Sequence, residues 1–474
     1  MQTYARMTKK IFSVLAIFLI GCGSSSDSGS NQENNIQTPK ITKIKGEFST
    51  GNVFSNDSLE WASNFRIVEI GDYLDIKPSH IQFLKSKGVE KVFAYEWMPA
   101  GYHYIDGEDN PFMAWVYQNR EITTLNPNGP FPHCQEMGYS WCEDYYYDLA
   151  NNEVVDRRIS FLKNNTLNKG IDGIFFDWGS GIYIEEDIYK PMKDRFFQLH
   201  PQGDYFQAVS DFYRKLKEEG LSVFTNQGFR KAQYHLPVVD YDMTESYITT
   251  DYSLSKQAWI EYKDDQGKTV LEKIDIPITA YYPVSEDILN GSLEDTAYYI
   301  DYLNSLKKQY GGNNFKKFVY VNYVAPDLEK IGEKENLPVY KAVVPKNALF
   351  FSYAMGKISG EIVYTEVPLD HSLERIDVYF YDLGEPLEET YQKIENQKYI
   401  RFFSNGFVLA GLWEKQETIT ISSKNLKNGF VYDLYNKNWL KIDNNTLEVQ
   451  MKPYFDKLQN KIVPIGRVFI YSSD

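Results

Sequence analysis

Two short runs in this chain end on carboxylates in positions suited to chemistry. Gly170-Ile171-Asp172-Gly173-Ile174-Phe175-Phe176-Asp177-Trp178 is an apolar stretch that stops at Asp177, before the turn residues Gly179, Ser180 and Gly181. Tyr241-Asp242-Met243-Thr244-Glu245-Ser246-Tyr247 stops in the same way at Glu245, 68 residues further on. Glycosidic bond cleavage uses two carboxyl groups flanking one bond, one protonating the leaving oxygen and the other acting as nucleophile or base. Asp177 and Glu245 are therefore the candidate catalytic pair. Trp97, Trp178 and Tyr247 stand next to strand ends and offer flat apolar faces to a sugar ring. The plainer reading of Asp177 is a cap on a helix or turn.

Other polar residues end apolar runs in the same manner. Phe93-Ala94-Tyr95-Glu96-Trp97 supplies Tyr95 and a third acid, Glu96, read as a substrate-binding or supporting group. Asn226, in Thr225-Asn226-Gln227-Gly228-Phe229, can bond a hydroxyl or orient a carboxylate, or simply make a turn. Asn322 and Tyr323 close a later run, where packing is an equal reading.

The elements behind these ends alternate apolar strands with amphipathic helices, the pattern of a parallel α/β fold. Strands are expected at 65–70, 91–96, 174–177, 222–225, 241–245, 318–323 and 361–364. Helices are expected at 78–87, 153–167, 205–219, 293–309 and 342–353. An eighth strand is expected between 120 and 148, where the pattern is irregular. Eight such units over residues 59–370 make a (β/α)8 TIM barrel, with Asp177 and Glu245 capping its fourth and sixth strands. An open doubly wound sheet is disfavoured, because no glycine-rich phosphate fingerprint follows the first strand. Two insertions interrupt the barrel, an aromatic and proline-rich loop over 100–147 and a hairpin over 259–274 turning at Asp264-Asp265-Gln266-Gly267. Residues 371–474 change to short strands at 378–381, 406–409, 418–422, 431–433, 439–442 and 466–471, a C-terminal antiparallel β-sandwich.

At this point the residues resemble a known family. From Tyr147 the chain reads Tyr-Asp-Leu-Ala-Asn-Asn-Glu-Val-Val-Asp-Arg-Arg, then a helix, then Gly-Ile-Asp-Gly-Ile-Phe-Phe-Asp. With Asn226-Gln227-Gly228-Phe229 and Glu245-Ser246 following in order, this is similar to the endo-α-1,4-polygalactosaminidase barrels of glycoside hydrolase family 114 and the related hydrolase domains of Pel-polysaccharide systems. The resemblance covers roughly residues 60–365 through a few short blocks. It implies that Asp177 is the nucleophile and Glu245 the acid/base, with Asp148 a structural or rim residue. It also implies an α-linked, galactosamine-type exopolysaccharide as substrate; a nucleophilic Asp177 means a retaining reaction, and an inverting one is the alternative that the carboxyl spacing separates. The chain departs from that family at Tyr95-Glu96-Trp97-Met98-Pro99-Ala100-Gly101, where Tyr-x-Ser-x-Gly-Glu is usual, and in its C-terminal sandwich.

The N-terminus reads as an address. Lys9 and Lys10 precede the apolar segment 11–20, which ends in Leu19-Ile20-Gly21-Cys22, similar to a bacterial lipobox with Cys22 as the lipidated residue. Residues 1–22 are thus read as a lipoprotein signal and 23–58 as a flexible tether, rich in Ser, Asn and Gln at its start. Gly23 rather than Asp after the cysteine favours the outer membrane of a bacterial envelope, so membrane contact is expected through the lipid alone. Export leaves Cys134 and Cys142 as either a local disulfide or two free thiols.

The formal charge of −15 becomes −18 once Arg6, Lys9 and Lys10 leave with the signal, which argues against nucleic-acid binding. With only 6 His and no ligand-like spacing, neither a metal nor an organic cofactor is expected. Aromatic content of 16 %, including 38 Tyr, suits a carbohydrate cleft as well as strand packing. The expected protein is a monomeric glycosidase with a polysaccharide substrate. The rival readings are a catalytically silent carbohydrate-binding lipoprotein and a surface adhesion or assembly protein that uses the barrel as a scaffold.

Overall fold

The computed structural model describes residues 39–51, 55–128, 140–282 and 291–473. Cys22, the signal and most of the tether lie outside these residues, and so does Cys134; Cys142 is itself disulfide-bonded.

Eight strands form one sheet, in chain order: β1 (Gly46–Ser49), β2 (Phe65–Asp72), β3 (Lys91–Trp97), β4 (Gly173–Asp177), β5 (Ser222–Asn226), β6 (Tyr241–Glu245), β7 (Lys317–Tyr323) and β8 (Ile362–Glu366). Every neighbouring pair is parallel. The two outer strands approach through side chains, with the Phe48 ring 6.3 Å from that of Tyr364. This is a (β/α)8 barrel with a β-rich C-terminal domain. The strands are apolar on both faces because helices cover the outside and side chains fill the inside. Phe93, Phe175 and Tyr241 each lie within 6 Å of Phe224, as does Phe48, making an aromatic plug. Phe176, one residue along, turns outward onto Phe212 and Tyr213 of helix Tyr205–Glu218. Gly173 permits the close packing at the start of β4, since a Cβ there would sit 2.4 Å from the Ser222 carbonyl and 2.7 Å from the Phe93 ring.

Strand parity then decides what reaches the barrel mouth. Tyr95, Asp177 and Asn226 each stand two residues beyond a plug aromatic, Phe93, Phe175 and Phe224 in turn. A period of two puts them on the same inner face, at the carboxyl ends of the strands.

The structure corrects several expectations. The additional barrel strand is β1, inside the stretch read as tether, and not a strand between 120 and 148. Cys142–Tyr146 is a strand, but it pairs antiparallel with Ala100–Tyr104 in a hairpin rising from the end of β3. The strand Gly46–Ser49 was hard to read because it is four residues long and carries a single bulky apolar side chain, Phe48. β4 and β6 nevertheless remain the fourth and sixth strands of the barrel, and Glu96 is the penultimate residue of the third. The hairpin expected over 259–274 is longer, Thr249–Lys263 against Thr269–Tyr281, and joins Leu337–Val343 and Asp327–Lys334 in a four-stranded sheet. These insertions follow β6 and β7, on the same side as the mouth.

The helix expected at 342–353 runs Lys346–Ile358 and is buried on all sides. Its outer face meets a six-stranded antiparallel sheet of the C-terminal domain so closely that a Cβ on Gly466 would lie 2.3 Å from the Phe350 carbonyl. The other face of that sheet packs Phe402, Phe407, Leu409 and Phe469 against Ile421, Leu447 and Val449 of a second, two-stranded sheet, completing a sandwich. The expected strand at 378–381 is instead a short 3-10 turn, Asp377–Phe380.

Candidate active site

Asp177 ends β4 with three donors converging on its carboxylate. The Tyr95 hydroxyl donates to Oδ2 at 2.9 Å, the Asn226 amide donates to Oδ1 at 2.9 Å, and the backbone N–H of Trp178 donates to Oδ1 at 2.9 Å. The last bond exists because Trp178 adopts a left-handed conformation, φ 54°. Glu245 ends β6 and accepts from the Asn226 amide at 2.7 Å and from the Tyr323 hydroxyl at 2.7 Å. The residues after Asn226 and Glu245, Gln227 and Ser246, are also left-handed, with φ 57° and 63°. Such backbone costs about 1 kcal/mol or more at a non-glycine residue, and its repetition at three adjacent strand ends marks a site held against local preference.

Asn226 joins the two acids. One Nδ2 donates to an oxygen of each, so those oxygens lie no farther apart than the two bonds end to end, 5.6 Å. Its Oδ1 has no partner among the described residues, and the residue is 6 % exposed. The turn that holds Asn226 is built on Asp242, which is fully buried. Its carboxyl group accepts from the Thr225 hydroxyl at 2.7 Å and from the N–H groups of Gly228 and Phe229 at 2.7 and 2.8 Å. Burial pushes the Asp242 carboxyl up to about 7, against the hydrogen bonds that favour its anion. Burial also raises the hydroxyls of Tyr95 and Tyr323 above the ordinary phenol range, and the neighbouring carboxylates add to it. Both therefore stay protonated and remain donors.

Of the residues expected in the site, Asp177, Glu245, Tyr95, Asn226 and Tyr323 form one hydrogen-bonded unit. Trp178 follows Asp177 and stands edge-on to Trp97, ring centroids 5.9 Å apart. Trp97 itself is 7 % exposed and stacks on Tyr102, so it supports the mouth from behind. Tyr247 lies flat on Tyr299, 4.0 Å between centroids, beyond Glu245.

Two expectations are corrected. Glu96 aligns with Phe176 in the ladder and faces the helix layer, where it pairs with the buried guanidinium of Arg158 at 2.7 Å. Arg158 also donates to the carbonyls of Met98 and Trp97, so this ion pair fixes the loop after β3 rather than meeting substrate. Asn322 is fully buried and accepts from the Ile248 N–H at 3.1 Å, anchoring the loop after Glu245. Asp148, similarly, is 2 % exposed and bonded to His200.

Two further acids on the inner face escaped the sequence reading. Glu69, of β2, accepts from the Thr50 hydroxyl at 2.6 Å and the Gly71 N–H at 2.7 Å, and burial raises its carboxyl above the usual range. Glu366 ends β8 in the same strand-then-acid pattern as Asp177 and Glu245, a signal present in Val363-Tyr364-Thr365-Glu366.

No family model and no curated protein matches this chain. Among solved structures it is similar to the glycoside hydrolase domain of PelA from Pseudomonas aeruginosa, at 15 % identity over 70 % of this chain and 99 % of that one, TM-score 0.38. It is also similar to a noncanonic maltogenic α-amylase AmyB from Thermotoga neapolitana, at 10 % identity over 90 % and 100 % of the two chains, TM-score 0.47. An α-amylase from Malbranchea cinnamomea aligns at 10 % identity over 90 % and 95 %, TM-score 0.46. The fold assignment rests on the strand order, and the candidate site on its own geometry.

Proposed function

We propose that this protein is a glycoside hydrolase that cleaves an α-linked, galactosamine-type exopolysaccharide with retention of configuration. The observation that carries the reading is the Asn226 amide bridging Asp177 and Glu245, which keeps their facing oxygens within 5.6 Å. Retaining enzymes place their carboxyl groups about 5–5.5 Å apart, whereas inverting ones need roughly 6.5–9.5 Å to admit a water.

Asp177, fixed by three donors, attacks the anomeric carbon as a carboxylate while Glu245 gives its proton to the departing glycosidic oxygen. The glycosyl–Asp177 ester then meets a water whose proton passes to Glu245 and whose oxygen bonds the anomeric carbon, releasing Asp177 as a carboxylate. Asn226 and Tyr323 hold Glu245 on the leaving-group side throughout. The galactosamine identity comes from the family resemblance and is supported by the order of the Asp177, Asn226 and Glu245 blocks. A lipid on Cys22 would keep this barrel at the bacterial envelope, where such polymers occur.

The test is incubation of the protein with a panel of polysaccharides that includes acetylated and deacetylated α-1,4-galactosamine polymers. Reducing ends should appear with the wild type and not with Asp177→Asn or Glu245→Gln. Tight binding without product, unchanged in both variants, would favour the silent carbohydrate-binding protein instead. Loss of radiolabelled palmitate in Cys22→Ser checks the anchor.

A further inference from the structure

We propose that Glu366 is a substrate-binding residue of this mouth, gripping a hydroxyl group of the sugar unit seated between Asp177 and Glu245. The inference rests on the glycoside reading above and adds a specificity residue to it.

The placement follows from register. Glu366 is the ladder partner of Tyr323, and laterally paired residues of parallel strands point to the same face. Tyr323 points inward, because its hydroxyl reaches Glu245 at 2.7 Å. Two residues earlier on β8, Tyr364 also points inward, its ring 6.3 Å from Phe48 of the plug. Glu366 is therefore an inner-face acid one strand beyond Tyr323, at the level of the catalytic carboxylates.

Its carboxyl group has no structural task. Among the described residues it makes no hydrogen bond and no ion pair within the protein, although it is only partly exposed. The bonds that secure the chain after β8 go to Glu374 instead, which accepts from the Tyr364 hydroxyl at 2.8 Å, the Val367 N–H at 3.0 Å and His371 at 3.3 Å. An acid left unpaired beside a paired one, on the face that carries the reacting groups, is available to a ligand.

The surroundings set the form in which it binds. Burial, first, and then the neighbouring Glu374, Glu69 and Glu245 hold the Glu366 carboxyl well above the usual range, with His371 opposing them. His371 is pushed up to about 9, chiefly by its bond to Glu374, and stays cationic. Tyr323, Tyr364 and Tyr379 also sense Glu366, each held further toward its protonated form by that acid. The raised carboxyl favours its protonated form, which offers an O–H donor beside a carbonyl acceptor, a pair that matches one sugar hydroxyl.

The test compares wild type, Glu366→Gln, Glu366→Ala and Asp177→Asn on a partially deacetylated α-1,4-galactosamine polymer, with steady-state kinetics, calorimetric binding to the full chain, and melting temperature. Gln keeps a neutral donor and acceptor, so KM should stay within about threefold of wild type; Ala should raise KM tenfold or more with a smaller change in kcat. An unchanged KM for Ala in an active enzyme would overturn the role of Glu366 and leave the hydrolase reading intact. Absent turnover, with binding weakened tenfold in Ala and kept in Gln, would overturn the hydrolase reading and sustain Glu366 as a sugar contact. A fall in melting temperature for Ala with no effect on KM or binding would show a packing role only and refute the proposal, as would no binding by any form.

Discussion

Replacing Asn226 by Ala removes the one group among the described residues that hydrogen-bonds both acids. Its amide donates at 2.9 Å to Asp177 and 2.7 Å to Glu245. Hydrogen bonds to charged groups contribute about 1.5–3 kcal/mol each, so losing one of the two from the transition state alone slows the reaction roughly 10- to 150-fold. A second effect acts in the same direction. The same amide sets the spacing of the two acids, holding the bridged oxygens no farther than 5.6 Å apart. Without it the pair loses its fixed spacing, and the attacking and protonating groups no longer address one bond. Asn226→Ala should therefore lower kcat at least 100-fold, and Asn226→Asp, which adds a third carboxyl group, should be worse. The assay is kcat and KM on the polymer that the wild type cleaves, alongside the melting temperature. Both variants should remain folded, because the turn is anchored by Asp242 and not by the Asn226 side chain. Activity within threefold of wild type in both would refute the bridging argument.

Tyr95→Phe and Tyr323→Phe each delete one hydroxyl donor, to Asp177 and Glu245 respectively, and each should cost about 10- to 150-fold in kcat/KM with little change in melting temperature. Arg158→Ala strands the buried Glu96 without its cation and frees two carbonyls, so chemical denaturation should show a loss of about 3–5 kcal/mol. Stability should also depend on pH in a definite direction. Asp242 keeps its proton to about pH 7 when folded and only to its ordinary 3.8 when unfolded, so the folded state binds more protons between those values and stability falls as pH rises through them. That group alone gives on the order of 2–3 kcal/mol more stability at pH 5 than at pH 8, and Asp327, pushed up to about 6 by burial, acts in the same sense. Urea midpoints at the two pH values check it, and a higher midpoint at pH 8 would contradict it.

The carboxylate pair was legible because each acid closes an apolar run, and a strand end in a parallel barrel is a mouth position. The same rule applied to Val363-Tyr364-Thr365-Glu366 points to Glu366, but reading the strand as stopping at Tyr364 hid it. Glu96 obeyed the rule in type and failed it in parity. It lies one residue past Tyr95, so the period of two turns it to Arg158 in the helix layer. Asn322 failed the same way, one residue short of Tyr323. Strand ends can thus be found from composition, whereas the inward face of each end depends on register with its neighbours, which the linear pattern does not carry. β1 was missed for a different reason: four residues with one bulky apolar side chain give no periodicity to read, and its pairing with β2 is what makes it a strand. The helix Lys346–Ile358 was placed too early because it is apolar all round, and its start falls after Leu337–Val343, a strand paired with the insertion hairpin.

On the proposed function, Asp177 and Glu245 together cleave a glycosidic bond with retention of configuration. Proton NMR of the first sugar released from a deacetylated α-1,4-galactosamine polymer tests it most directly, because the anomeric signal is read before the product mutarotates. The α anomer should appear first with the wild type, and no product should form with Asp177→Asn. A β anomer appearing first, or release by Asp177→Asn at the wild-type rate, would contradict the account.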